Sequence, residues 1–325
     1  MRYLYLCLIL LLLLSACSND DQKAAVVIEE TIERGAVLRT IALDNTTFLT
    51  GDSNAVFRVR LEEQDERDGN LMDRVDVYAQ FVDRTPENGL ENKVEVLIKT
   101  LGPEDFENGP VGLPRTTLEV PLSMLLSTLD LDMDALHCTD QFIIRLDIHL
   151  TDGRHFTEGD GSSWVIGLGS SFSSPYVYTV QVADAIEPAA FTGVYQISYI
   201  ERGPFGVTFI TDQTETVRIV KGHSPNVRIF ESYYGLSHPL AEKPKFFLFT
   251  VACDQIHFGK HQFTSFEGYC NFFSPPILIG PGATANTANP NDDSVFILNV
   301  TEGYLGFDGG CGFGSTQSSM RFSKQ

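Results

Sequence analysis

Val75-Asp76-Val77-Tyr78-Ala79-Gln80-Phe81-Val82 sets Val75, Val77, Ala79 and Phe81 on one side of an extended chain and Asp76, Tyr78 and Gln80 on the other, because successive side chains of a strand point to opposite faces. Val56-Phe57-Arg58-Val59-Arg60-Leu61 repeats the pattern, with Phe57, Val59 and Leu61 apolar and the two arginines between them. A strand with one apolar face must bury it against a second layer. Working outward, strand-like runs lie at 93–101, 115–120, 141–151 and 175–183, punctuated by turn formers such as Pro86-Glu87-Asn88-Gly89 and Thr151-Asp152-Gly153. Short strands at this regular spacing predict an Ig-like antiparallel β-sandwich over residues 35–186. One helix interrupts it, from Pro121 to about Asp130. There Leu122, Leu125, Leu126 and Leu129 recur at helical spacing behind an N-terminal proline, and the stripe reads as packing.

Pro188 and its small neighbours mark a boundary near residue 187. Beyond it, strands are predicted at 193–201, 206–210, 214–221, 226–231, 246–253, 255–263, 294–301 and 317–323, with a long loop from Gly280 to Asp293. The chain is thus expected to be all-β: a sandwich with one short helix, then a second β-sandwich or lipocalin-like small β-barrel over 187–325.

The first residues carry a different signal. Arg2 precedes an apolar run, Leu4 to Leu14, that is too short to span a bilayer as a helix of about 20 residues. Leu14-Ser15-Ala16-Cys17 resembles the lipobox of bacterial lipoproteins, so residues 1–16 read as a cleaved signal peptide and Cys17 as the acylated anchor of a tether, 17–34. Ser18-Asn19-Asp20-Asp21 is similar to the acidic export tether of Bacteroidota surface lipoproteins, and the expected address is the outer membrane, exposed at the cell surface. The formal net charge of −20 repels nucleic-acid phosphates and excludes nucleic acid as a partner. Of the remaining cysteines, Cys253 and Cys270 flank a predicted hairpin and are the expected disulfide, leaving Cys138 to pair across domains or stay free and Cys311 in a glycine-rich turn.

No G-x-S-x-G, HExxH, P-loop or dinucleotide fingerprint occurs, and no enzymatic activity is expected. His257 and His261 lie four apart but lack further ligands at diagnostic spacing, so no metal site is predicted there. The acidic run Glu62 to Asn70 clusters the oxygen ligands that a structural calcium ion requires, and reads equally as a solvated turn protecting a sheet edge. In the second region the adjacent rings of Phe246-Phe247 and Phe272-Phe273 cannot both face inward on a regular strand. Phe246, Phe272, Phe273 and Tyr269, with the lone Trp164, are therefore the candidate binding rings for a glycan or peptide. Asp293-Ser294-Val295 matches a short O-glycosylation pattern of exported Bacteroidota proteins.

Glu33-Arg34-Gly35-Ala36-Val37-Leu38-Arg39-Thr40-Ile41, Gly112-Leu113-Pro114-Arg115-Thr116-Thr117-Leu118, Leu150-Thr151-Asp152-Gly153-Arg154 and Phe191-Thr192-Gly193-Val194-Tyr195 together resemble two-domain Bacteroidota lipoproteins that accompany SusC/SusD-type uptake systems. The resemblance implies a non-enzymatic accessory that captures a ligand or scaffolds a SusC/SusD-like barrel complex. It is carried by scaffold strings, brings no binding residue with it, and departs from glycan-binding members in having a single tryptophan. The alternative is a free-standing surface adhesin or envelope structural lipoprotein.

Overall fold

The alternating runs pair as their apolar faces require. In the computed structural model, which describes residues 35–89, 91–203, 214–234, 244–264, 275–306, 312 and 314–325, the first half contains ten strands. They are β1 (Val37–Asn45), β2 (Thr47–Leu49), β3 (Val56–Gln64), β4 (Met72–Val82), β5 (Lys93–Leu101), β6 (Glu107–Asn108), β7 (Pro114–Pro121), β8 (Gln141–Leu150), β9 (His155–Phe156) and β10 (Val177–Ala183). One sheet runs β1-β3-β7-β6 and the other β2-β10-β8-β4-β5, with β9 beside β8. Phe57, Val59 and Leu61 of the first sheet and Val75, Val77, Ala79 and Phe81 of the second are all fully buried, as the alternation dictates. The predicted helix forms as α1 (Leu122–Leu129), which buries Leu122, Leu125 and Leu129 and stops where Asp130 turns left-handed at φ 52°. A second, short helix, α2 (Ser163–Ile166), inserts Ile166 into the same core.

Ten more strands follow: β11 (Gly193–Glu201), β12 (Thr214–Lys221), β13 (Val227–Ser232), β14 (Lys245–Ala252), β15 (Gln255–Phe258), β16 (Gln262–Phe263), β17 (Leu278–Pro281), β18 (Asn286–Thr287), β19 (Val295–Glu302) and β20 (Thr316–Lys324). They form one sheet in the order β16-β17-β19-β20-β11-β12-β13-β14-β15-β18. Two buried amides curl it back on itself. Gln262 of β16 accepts from the Leu248 N–H of β14 at 2.7 Å and donates to the Leu248 carbonyl at 2.8 Å. Asn286 of β18 likewise accepts from the Asn299 N–H of β19 at 2.6 Å and donates to its carbonyl at 3.3 Å. Each side chain stands in for the main chain that a neighbouring strand would have offered. The interior is phenylalanine-rich: Phe296 stacks on Phe322 with centroids 4.7 Å apart, and Phe230 and Phe249 pack around them. The chain is all-β with few helices.

The single strand expected over 255–263 is broken into β15 and β16, because His261 takes a left-handed φ of 55° between them. The loop expected from Gly280 to Asp293 contains the end of β17 and all of β18, drawn into order by the Asn286 bonds. Sheet membership changes between Ala183 and Gly193. The two cores nevertheless meet, since Phe263 and Leu278 of the curled sheet join the sandwich core, and Ala36–Gln325 is one compact unit.

The disulfide departs from expectation. Cys253 pairs with Cys138, with Cα atoms 6.1 Å apart and a sequence separation of 115, and not with Cys270. The β14–β15 turn that carries Cys253, at φ 54°, meets the segment preceding β8, so the bond joins sandwich to curled sheet rather than two arms of one hairpin. Cys270 lies outside the described residues, as do the signal segment, Cys17 and its tether, the strand expected at 206–210, Cys311, and the rings of Tyr269, Phe272 and Phe273. Among the described residues no helix is long and apolar enough to cross a membrane.

Candidate functional site

Where the sandwich meets the curled sheet, a cleft of about 620 Å³ opens, a size and position typical of small-ligand sites. One wall is the outer face of β4, β8 and β10. Their register stacks outward side chains in three rows: Tyr78–Arg145–Val177, Gln80–Ile143–Thr179 and Val82–Gln141–Gln181. β4 and β8 are flanked on both sides within the sheet, and β10 has β2 beside it from Gln181 to Ala183, so the wall offers mainly side chains. The opposite wall is made of Leu248 and Thr250 on β14 with Gln255 and His257 on β15, Thr250 lying directly across from His257.

A relay of amides fixes the polar floor. Arg84 donates from Nε and Nη2 to Gln141 Oε1 at 3.4 and 3.0 Å. Gln141 donates to Gln181 Oε1 at 2.9 Å, and Gln181 donates to the Asp140 carbonyl at 3.1 Å. Burial of Gln141 and Gln181 makes these bonds necessary, and they hold an exposed guanidinium at the cleft's end. Among the described residues Arg84 has no ion-pair partner within 4.0 Å. The one carboxylate lining the cleft, Glu158, has Lys260 and Arg145 near it.

Three imidazoles, of His223, His257 and His261, line the cleft. Desolvation pushes each down to about 4, with the Arg84 charge adding to the effect at His257 and the Lys260 charge at His261. They are neutral at physiological pH; His223 is hydrogen-bonded, whereas the buried Nε2 of His257 has no partner among the described residues. His223 Nε2 lies 2.8 Å from Thr46 Oγ1, and the Thr46 N–H donates to Ser224 Oγ at 2.8 Å. These bonds tie the sandwich to the curled sheet beside the cleft. A threonine next to an imidazole also has the outline of a nucleophile and its base, but a base held near 4 is poorly matched to proton abstraction at neutral pH.

The residues singled out in the sequence separate. Phe246 stands 66% exposed while Phe247 is fully buried, the split that adjacency on a strand demands. Phe246 shares its face of β14 with Leu248 and Thr250, which places it in line with one cleft wall. Trp164 is no surface platform. It is half-buried against Phe263, with ring centroids 5.3 Å apart, and helps seal sandwich to curled sheet.

The acidic run 62–70 is taken up locally. Glu62, fully buried, bridges Arg39 and Arg115. Asp65 builds the turn: Oδ1 accepts from the Arg67 and Gly69 N–H groups at 2.6 and 3.0 Å, and Oδ2 from Leu71 N–H at 2.7 Å. Glu63 faces inward in register with Phe57, Val59 and Leu61, is fully buried, and neither of its oxygens has a partner among the described residues. Burial, reinforced by the Asp65 charge, pushes its carboxyl up to about 8. A Cβ at Gly69, whose φ is +86°, would lie 2.3 Å from the Pro114 side chain and 2.6 Å from Glu63 Oε2, so glycine is required at that turn.

Asp293 accepts from Phe191 N–H, the Tyr195 hydroxyl and Lys324 Nζ, and Ser294 next to it is exposed. Cys138, Asp184 and Cys253 draw together, but the two sulfurs are bonded to each other and thus unavailable as thiolate ligands.

Neither a known protein-family model nor a curated protein matches the sequence. Among solved structures, a Mobiluncus mulieris adhesin with intramolecular disulfide, isopeptide and ester cross-links aligns at 9% identity over 62% of this chain and 80% of its own, with a TM-score of 0.19. A 1.5-MDa bacterial ice-binding adhesin aligns at 9% identity over 90% of this chain and 98% of its own, with a TM-score of 0.22. A DUF4466 family protein from Parabacteroides merdae aligns at 7% identity over 90% and 98%, with a TM-score of 0.18. At scores this low none of them bears on function.

The cleft was not visible in the sequence. Its residues come from segments around 80, 141, 180 and 257, and on the strands most of them occupy the positions that alternation assigns to water.

Proposed function

We propose that this chain is a non-enzymatic, lipid-anchored outer-membrane protein that captures a small polar ligand in the cleft and works beside a SusC/SusD-like barrel transporter. The observation that carries the capture reading is the cleft itself: about 620 Å³, floored by a preorganised amide relay and walled by neutral imidazoles. Its polar groups are suited to holding a ligand, since side chains already fixed by neighbours lose little entropy on binding. The anchor, the cell-surface address and the transporter partnership come from the lipobox-like Leu14-Ser15-Ala16-Cys17, the acidic tether and the resemblance of the scaffold strings.

The test is copurification. A tagged chain recovered from detergent-solubilised outer membranes of its own host brings down a barrel protein in stoichiometric amount. Recovery of the chain alone, with normal nutrient growth and altered surface attachment on deletion, contradicts the transporter role and favours a free-standing adhesin.

A further inference from the structure

The capture reading leaves the ligand's chemistry open, and the charges in the cleft narrow it. The chain carries 43 acidic against 23 basic residues, yet the cleft is lined by one carboxylate, Glu158, against Arg84, Lys260 and Arg145's reach from the adjoining row. Glu158 lies near both Lys260 and Arg145, its contact within 4.0 Å being with His261, and Arg145 also pairs with Glu95 and Asp147. That leaves Arg84 as the guanidinium without a carboxylate partner among the described residues, exposed and oriented by two bonds to Gln141. One fixed guanidinium suits a monoanionic carboxylate, which it can grip through paired N–H donors. A phosphate dianion calls for more cationic or backbone N–H donors than one side chain supplies.

While the buried amides of Gln141 and Gln181 are engaged in the relay, the floor beside Arg84 presents the Gln80 amide and the Thr179 hydroxyl. Such groups donate and accept together, as do the vicinal hydroxyls of a sugar. Peptide is the poorer fit. Both walls are built largely from paired strands, with β2 flanking β10 over Gln181–Ala183 and β18 flanking β15 over Gln255–Ile256, so an extended peptide finds only about four residues of open edge on β10 and about two on β15 to which it could add as a strand.

We propose that the cleft binds a carboxylate-bearing sugar, a hexuronate unit of an acidic glycan, with its carboxylate on Arg84 and its hydroxyls on Gln80 and Thr179. This rests on the capture reading of the same cleft and names its ligand class.

Isothermal titration of the full-length chain with short oligogalacturonates, their methyl esters, neutral galacto-oligosaccharides and free-carboxylate tripeptides tests it. The acid form binds, and esterification or Arg84→Gln weakens binding about tenfold or more, the loss of one charge-assisted bidentate contact. Arg84→Lys keeps part of the affinity, and because Arg84 also bonds the buried Gln141, affinities are compared between variants whose melting curves show them folded at the titration temperature. Equal affinity for acid and ester, or binding of only neutral sugar or peptide, overturns the hexuronate assignment while capture stands. Binding of none of these probes, together with recovery of the chain alone from membranes, overturns both.

Discussion

At Glu63, β-alternation and electrostatics conflict. The register places its carboxyl among Phe57, Val59 and Leu61, where an ion without a partner is costly, and the group answers by keeping its proton up to about pH 8. Unfolded, it would release that proton near 4.5. Between those values the fold holds a proton that the unfolded chain has lost, so its contribution is complete below about pH 4.5 and drains away as pH rises through 8. The amount at stake is on the order of 5 kcal/mol. Glu63→Gln, isosteric with the protonated acid, should melt like the parent near pH 4.5 and clearly higher near pH 8.5. Parallel melting curves across that range would show that Glu63 is ionised and paired in solution. Adding calcium at pH 8 distinguishes the remaining option from the sequence: a rise in the parent's melting temperature that Glu63→Gln abolishes would mean a cation neutralises the acid instead of a proton.

The elements that matter most for the cleft are the β14–β15 turn and the segment leading into β8, because Cys138–Cys253 joins them. Cys138 lies three residues before Gln141 and Cys253 two before Gln255, residues of opposite cleft walls. A bridge closing a loop of 115 residues restricts the unfolded chain substantially, and removing it should cost about 2–4 kcal/mol. The Cys138→Ala/Cys253→Ala double variant is expected to melt lower and to exchange the amide hydrogens of 252–258 faster. An unchanged melting temperature would mean that the interface between sandwich and curled sheet carries itself. This pairing was beyond sequence reading, because hairpin proximity favours Cys270 and only the fold brings Cys138 near. The strands were legible for the opposite reason: in β3 and β4 the burial of the apolar residues follows from their parity, Glu62 and Asp76 being outward positions that ion pairs cover. The break between β15 and β16 was not, since it depends on His261 adopting a left-handed turn and on Gln262 bonding to β14.

At the scale of the whole molecule, the all-β architecture follows from local pattern, whereas the cleft follows from the docking of two sheets. Thr46 with His223, Asn226 with the Asp184 carbonyl, Leu168 with His261 and Phe263, and the Trp164–Phe263 ring pair all span that junction. Each is a contact between distant parts of the chain, and none leaves a periodic trace. The junction buries Phe263 and Leu278 in the sandwich core, which fixes the walls relative to one another and makes the cleft a standing feature of the fold. Thr179 lies at the centre of the platform, outward-facing and between Val177 and Gln181 on β10, so an indole placed there would fill the cleft without disturbing either core. The most direct measurement compares the parent with Thr179→Trp on one array of glycans and peptides. Capture in the cleft predicts that the parent binds a discrete set of acidic glycans and that Thr179→Trp, with an unchanged melting temperature, loses them all. Retention of the same ligands by Thr179→Trp would contradict it.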